Sequence, residues 1–282
     1  MLKNAISLYL MILFSPAKIN IGLQILEKRE DGFHNIRSVM YPIGLCDILE
    51  IGKLPEGNSP LLFSQTGISI DSSHENNLVT KAWELLAGET EIPPAAIHLH
   101  KQIPVGAGLG GGSSNASVTL KALNQMARNS LAPERLELLA ARLGSDCPFF
   151  LHNGPMMMEG RGEILSQAKV NLDGSFLVLL FPGIHVSTAR AYADVVPKIQ
   201  EDPLENLILK PADQWKDHIK NDFEENVFTK YPLIRELKNE LYHAGAQYAS
   251  LSGSGSSIYG IFREFPHLPR ALRKYVIWGG IA

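Results

Sequence analysis

Between Pro104 and Ser114 the chain reads Pro-Val-Gly-Ala-Gly-Leu-Gly-Gly-Gly-Ser-Ser. Five glycines in eleven residues can hardly sit inside a helix or strand, so the segment must be a loop. Its flanks are regular. Ala96 to Gln102 reads as a strand, and Ala116, Leu120, Leu123 and Ala127 recur at helical spacing. Ser113 or Ser114 is expected to cap that helix. A strand, a glycine loop and a helix in this order bring unpaired N–H groups and partial positive charge to one place. That place suits a phosphate. It is not a Walker A loop, because no Gly-Lys-Ser/Thr closes it. Gly106 to Gly111 satisfies G-x-G-x-x-G, but the acidic residue of a dinucleotide site, about 20 residues on, is missing.

Other elements follow from pattern. Ile12 to Phe14 opens a strand, and Ile19 to Leu26 reads as one. The turn Glu30-Asp31-Gly32 leads to strands at Val39 to Tyr41 and Ile48 to Ile51. Leu61 to Ile70 is a further strand and Asn77 to Leu86 a helix. Pro133 opens a helix that Gly144 ends as a C′ residue. Asp146 then precedes an apolar stretch, Phe149 to Leu151, taken as a strand. Met156 to Glu159 and Glu163 to Leu165 form a hairpin about Gly160-Arg161-Gly162. Phe176 to Phe181 is a buried strand, and Ser187 or Thr188 caps a short helix. Pro197 to Lys220 is polar and loosely helical. Leu233, Leu237 and Leu241 mark a longer helix, and Ile258 to Phe262 a strand. The fold class expected is α+β, in two domains, 1–168 and 169–282.

Composition narrows the functional classes. The 282 residues are 45% hydrophobic and 20% charged, with a net charge of -3 and no basic run. A nucleic-acid surface is not expected. Two cysteines far apart, Cys46 and Cys147, make neither a disulfide framework nor a zinc site, and a reducing cytoplasm is expected. Ile6 to Phe14 faintly resembles a signal core but is too short to span a membrane. Met11 is the expected start, with residues 1–10 an extension.

Four positions could carry chemistry. Asp146, after a helix stop, is either an ordinary helix-end aspartate or a general base. Lys18, in Pro16-Ala17-Lys18-Ile19-Asn20, either snorkels to solvent, the expectation taken alone, or points into a cleft and offsets charge on a reacting hydroxyl. His34, in Gly32-Phe33-His34, reads alone as a surface hairpin histidine, although its ring can donate to and accept from a base edge. Ser252 to Ser257 is expected to be an ordered loop that approaches the first glycine loop, rather than a flexible linker.

Taken together, these segments resemble the GHMP kinase superfamily (galacto-, homoserine, mevalonate and phosphomevalonate kinases). Its three motifs occur in order: Pro16 to Asn20, Pro104 to Ser114, and Ser252-Gly253-Ser254-Gly255. Four stretches are most similar to the branch that phosphorylates 4-diphosphocytidyl-2-C-methyl-D-erythritol. They are Asp31-Gly32-Phe33-His34, the triple glycine with Ser113-Ser114-Asn115-Ala116, Gly144-Ser145-Asp146-Cys147-Pro148-Phe149-Phe150, and Asn221-Asp222-Phe223-Glu224. The likeness runs from about Phe14 to Phe262.

The resemblance implies a two-domain GHMP kinase architecture: an N-terminal domain like ribosomal protein S5 domain 2 and a ferredoxin-like C-terminal domain. It implies ATP with Mg²⁺, phosphoryl transfer to the 2-hydroxyl of the cytidyl diphosphate sugar alcohol, and a place in non-mevalonate isoprenoid precursor synthesis. Lys18 and Asp146 become the catalytic pair. Pro104, Val105, Gly106, Ala107, Gly108, Leu109, Gly110, Gly111, Gly112, Ser113 and Ser114 wrap the ATP phosphates. Asn20 lies near the sugar, His34 reads the cytosine edge, and Phe33 and Tyr192 supply aromatic faces. The family's usual tyrosine is Phe33 here, which loses a phenolic hydrogen bond, and Ser145 replaces an alanine. No metal ligand set is expected beyond a hydroxyl of Ser113 or Ser114. A small molecule is the expected partner, with no nucleic acid, no membrane, and a monomer or weak homodimer. The rivals are another GHMP small-molecule kinase, of homoserine or mevalonate type, and a non-catalytic nucleotide-binding regulator.

Overall fold

A computed structural model describes residues 10–57, 59–70, 76–193, 195–197 and 202–282. The extension expected at residues 1–10 lies outside them, except Leu10, which is already in strand conformation. The chain falls into two compact units that interleave along the sequence. The first takes Met1–Pro16, Cys46–Val105 and Gly111–His152, and the second Ala17–Leu45, Gly106–Gly110 and Asn153–Ala282. Two long strands, β1 (Leu10–Lys28) and β2 (His34–Lys53), have residues in both. The short strands expected at Val39 and Ile48 are parts of the one strand β2.

In the first unit, β4 (Ala95–Lys101) pairs in parallel with β3 (Leu61–Gly67) and antiparallel with Ile48–Lys53 of β2. Alternate residues of β4 point inward, Ala95, Ile97, Leu99 and Lys101, as its period of two requires. Three helices cover that face: α1 (Leu78–Ala87), α2 (Gly111–Met126) and α3 (Pro133–Leu143). Asn77 caps α1 by accepting from the Val79 N–H at 2.9 Å. Leu120 and Leu123 of α2, Val79 and Leu86 of α1 and Leu139 of α3 meet Leu49, Ile51 and Leu99 in one core.

Three expectations change here. Helix α2 begins at Gly111, so Ser113 and Ser114 lie within its first turn and are not caps. Gly144 ends α3 in extended conformation, at φ 167°, rather than in a left-handed C′ turn. Pro148–Leu151 is a 3₁₀ turn rather than a strand; Pro148 opens it, since proline suits a first turn and lacks the N–H a ladder needs.

In the second unit, β5 (Met156–Glu159) pairs with Ser38–Met40 of β2 and with β6 (Ile164–Gln167). Gly160 and Gly162 take positive φ in the expected turn. A four-stranded antiparallel sheet has the order β10-β7-β9-β8, from β7 (Phe176–Leu180), β8 (Tyr248–Leu251), β9 (Ile258–Phe262) and β10 (Val276–Ile281). Strand β10 carried no sequence signal strong enough to name; pairing with the apolar β7 completes it. Short helices α4 (Thr188–Ala193), α5 (Leu204–Leu207) and α6 (Glu224–Lys230) precede α7 (Pro232–His243), and α8 (Arg270–Arg273) comes before β10. The buried row of α7 is Ile234, Leu237 and Leu241, so Ile234 takes the place expected of Leu233. Trp215 packs edge-on against Tyr248, ring centres 5.5 Å apart.

Candidate active site

Each unit holds its own group of the residues singled out above. In the second, a bend in β1 follows the Pro16–Asn20 motif. Gly22 adopts φ +65°, and an added Cβ would stand 2.9 Å from Ile219 Cγ2. The bend aims Gly22 O at the Ser38 hydroxyl, 2.6 Å away. Asn20 Nδ2 donates to that same hydroxyl at 2.9 Å, and Lys18 Nζ donates to Asn20 Oδ1. The polarity of the row is therefore set, from Lys18 through Asn20 and Ser38 to a backbone carbonyl. Lys18 is only 4% exposed. Snorkelling, expected of it alone, is ruled out by that burial, and Asn20 answers the need of a buried ammonium for an acceptor.

The tip of the first glycine loop, Gly106–Gly110, is tied to this strand and to the second glycine loop. Lys18 N–H donates to Leu109 O at 2.9 Å. The Ser252 hydroxyl donates to Gly108 O at 2.9 Å and accepts from Asn20 N–H at 3.3 Å. Ser257 N–H reaches Ala107 O at 3.2 Å. Gly108 has φ +79°, and a Cβ there would come within 2.1 Å of Ser252 O, so only glycine fits. The two glycine loops do meet, and Ser252–Gly255 is an ordered turn rather than a linker.

His34 stacks on Tyr192, ring centres 5.4 Å apart and 23° between planes. Tyr192 in turn receives the ring of Phe223 edge-on at 4.9 Å. Burial, helped by the charge of Lys28, holds the His34 imidazole below its ordinary value of 6.5. Phe33 is not in this stack. Its ring is exposed, with the Arg161 guanidinium 5.1 Å above it.

In the first unit, the glycine segment Gly111–Ser114 is the opening turn of α2. The 16-residue helix presents free N–H groups and dipole charge there. Beneath it lies a buried network that the sequence reading missed. Asp47 accepts from Lys101 Nζ, from the N–H groups of Gln102 and Ile103 at 2.7 and 2.8 Å, and from Asn115 Nδ2 at 2.9 Å. Asn115 also donates to the Ser15 hydroxyl, which donates to Ser114 Oγ at 2.7 Å. Burial presses the Lys101 ammonium below its usual range, and Asp47 opposes that. A Cβ on Gly111 would lie 2.9 Å from Lys101 Nζ, so the ammonium sits directly under the helix start. The alternation of β4, which sends a lysine inward just before the glycines, was the signal available.

Asp146 lies half-buried in the turn after α3. That turn is held against α2. Cys147 N–H donates to Gly144 O at 3.0 Å, and the Ser117 hydroxyl donates to Cys147 O at 2.7 Å. Cys147 is fully buried, and burial pushes its thiol up to about 11; it is an inert packing residue. Cys46 is also a free thiol. Among the described residues no three His, Cys, Asp or Glu side chains gather as a metal site, and no helix is long and apolar enough to cross a membrane.

Comparison with known proteins agrees with this construction. Residues 77–154 match the GHMP kinases N terminal domain, and residues 203–278 the GHMP kinases C terminal domain. A 4-diphosphocytidyl-2-C-methyl-D-erythritol kinase of Bacteroides thetaiotaomicron is 47% identical over 259 residues, 92% of this chain and 94% of that one. A crystal structure of a 4-(cytidine 5'-diphospho)-2C-methyl-D-erythritol kinase superposes with a TM-score of 0.80 at 31% identity, covering 96% and 98% of the two chains. Homoserine kinase from Cytophaga hutchinsonii reaches a TM-score of 0.68 at 18% identity, covering 94% and 88%, a likeness of fold alone. The chain belongs to the GHMP kinase superfamily, within the family of the 4-diphosphocytidyl-2-C-methyl-D-erythritol kinases.

Proposed function

We propose that the protein transfers the γ-phosphoryl group of ATP to the 2-hydroxyl of 4-diphosphocytidyl-2-C-methyl-D-erythritol, in non-mevalonate isoprenoid precursor synthesis. The observation that carries the acceptor assignment is the His34–Tyr192 stack, placed in the same unit as Lys18 and Asn20. An aromatic face beside a neutral imidazole suits a planar base with donors and acceptors on its edge. Homoserine and mevalonate have no such ring.

Phosphoryl transfer asks the protein mainly for alignment and charge stabilisation. In this proposal Pro104–Ser114 and the start of α2 hold the β- and γ-phosphates. Asp146 takes the proton of the substrate hydroxyl, and Lys18 stabilises charge developing on the attacking oxygen. Asn20, held by Ser38, orients the Lys18 ammonium and lies beside the sugar. Mg²⁺ accompanies ATP and neutralises charge on its phosphates. The half-buried Ser113 hydroxyl, which also meets the Cys147 thiol, is the group suited to it, because Ser114 Oγ is fully buried and donated to by Ser15. Phe33 offers an exposed aromatic face for the substrate. The proposal places the boundary between the two family domains at 168/169, with the two family matches on either side of it; the compact units described above interleave across that point. A cytoplasmic monomer or weak homodimer, without nucleic-acid or membrane partners, completes the proposal.

Steady-state kinetics of His34→Ala test the base pocket. The expected result is a KM for the cytidyl substrate raised about tenfold, the size of one good aromatic or hydrogen-bonded contact, with the KM for ATP unchanged. Equal changes in both would remove His34 from the base pocket.

A further inference from the structure

The stretch Asn221-Asp222-Phe223-Glu224 carries family likeness, yet none of its residues has a role in the chemistry proposed above. In the structure Asn221 and Glu224 reach the second glycine loop, Asp222 reaches β1 and Phe223 reaches Tyr192. Asn221 is 2% exposed. Its Nδ2 donates to Leu251 O at 2.9 Å and Gly253 O at 2.8 Å, the entry and first glycine of the second glycine loop. Its Oδ1 accepts from Phe223 N–H at 3.0 Å. The amide orientation is therefore fixed, because reversal would set oxygen against two carbonyls.

Asp222 Oδ2 accepts from Ile25 N–H at 2.7 Å. The backbone beside it pairs with β1 on both sides of Leu23, whose N–H donates to Lys220 O while its carbonyl accepts from Asp222 N–H. Phe223 is buried, and its ring meets Tyr192 edge-on at 87°. Glu224 Oε1 accepts from Leu251 N–H at 3.0 Å, while Oε2 pairs with Lys238 at 2.6 Å.

Two of these contacts bear on the site. The loop held by Asn221 and Glu224 has Gly253 at φ +56° and Gly255 at φ +91°. Its own backbone closes the turn, with Gly255 N–H on Ser252 O and Ser252 N–H on Ser257 O, both at 2.9 Å, and Asn221 and Glu224 anchor its entry from outside. A Cβ on Gly253 would stand 3.4 Å from Asn20 Oδ1, the atom that receives the Lys18 ammonium. Phe223 in turn limits the tilt of Tyr192, the ring stacked on His34.

We propose that Asn221-Asp222-Phe223-Glu224 is a positioning element for the acceptor: Asn221 sets the second glycine loop against Asn20 and Lys18, and Phe223 sets Tyr192 for the base. The Phe223 arm rests on the assignment of Tyr192 to the base pocket made above. These residues touch no substrate; they act through those that do. The two arms act on different kinetic quantities, because one faces the reacting end and the other the base.

The test uses the full-length protein, ATP and the cytidyl substrate, with a melting curve for every variant. Phe223→Leu is expected to raise the KM for the cytidyl substrate about tenfold, the size of one aromatic pair, with the KM for ATP unchanged. In a Tyr192→Ala background the same change should have no further effect on that KM. Asn221→Ser, which keeps one donor, is expected to lower kcat about tenfold or more through misplacement of the reacting groups, with both KM values unchanged. Wild-type KM in a folded Phe223→Leu, or wild-type kcat in Asn221→Ser, overturns the proposal. So do changes in both KM values that simply follow the loss of melting temperature. If Tyr192→Ala alone leaves the cytidyl KM unchanged, the base-pocket assignment fails, and the Phe223 arm with it. If Tyr192→Ala raises that KM and Phe223→Leu does not, only the positioning role fails.

Discussion

A buried ammonium needs an acceptor, and the residue two places along the strand from Lys18 provides one. Asn20 shares a face of β1 with Lys18 because side chains alternate, and Ser38 holds its amide so that oxygen faces the ammonium. The strand and its lysine were legible in the sequence; Ser38, 18 residues beyond Asn20, was not, because a lone serine gives no periodic signal. Asp146 makes the sharpest prediction at this scale. Asp146→Asn keeps the size of the side chain and removes the proposed base, so kcat should fall ~10²–10⁴-fold while ATP binding and melting temperature hold. Near-normal turnover would refute its role. His34 adds a pH dependence. Its folded pKa lies below the ordinary 6.5, so the unfolded chain binds the proton more readily. The stability this contributes is complete above pH 6.5 and is lost as the pH falls toward the folded value. The neutral ring is also the one proposed to read the base. The cytidyl KM should therefore be flat above pH 6.5 and rise on the acid side, and in His34→Ala the acid-side rise should disappear.

At the scale of elements, the first glycine loop is less free than its composition suggests. Strand β4 ends in an inward Lys101, and Asp47 from β2 gathers that ammonium, two backbone N–H groups and the Asn115 amide. The entry to the loop and the first turns of α2 are thereby held to one carboxylate. Alternation in β4 makes the inward lysine readable from sequence; its partner, 54 residues away, depends on the pairing of β2 with β4. Asp47→Asn leaves Lys101 buried without a counter-charge. Removing one member of a buried pair typically costs about 3–5 kcal/mol, and urea denaturation should register a loss of that order. A loss near zero would mean that Asp47 is dispensable. Phe149–Leu151 shows the opposite limit. Its apolar run fits a strand or a buried turn equally, and Pro148 decides for the turn. Gly108→Ala belongs here too: a Cβ placed 2.1 Å from Ser252 O must push the two glycine loops apart. Activity should be lost well before the fold in a thermal series; wild-type kcat would show that the loops need not touch.

For the molecule as a whole, the motifs predicted that the two glycine loops would meet, as they do, but not the bonds that join them or the residues that gather around them. Lys18, the loop tip Gly106–Gly110, Tyr192 and Ser252 belong to one compact unit although some 230 residues separate the first from the last. Two of its connections, Lys18 N–H to Leu109 O and Ser252 Oγ to Gly108 O, arise from tertiary pairing that no local pattern encodes. The fold class was readable because strand and helix periods are local; β10 was missed because its identity comes from pairing with β7. Membership of the family rests on matches that cover most of the chain, and choice of acceptor on a small group of rings. Release of ADP from ATP, measured separately with 4-diphosphocytidyl-2-C-methyl-D-erythritol, homoserine and mevalonate, tests that choice most directly. Turnover with the cytidyl compound alone is the predicted result. Turnover with homoserine or mevalonate instead, or with none of the three, would contradict it.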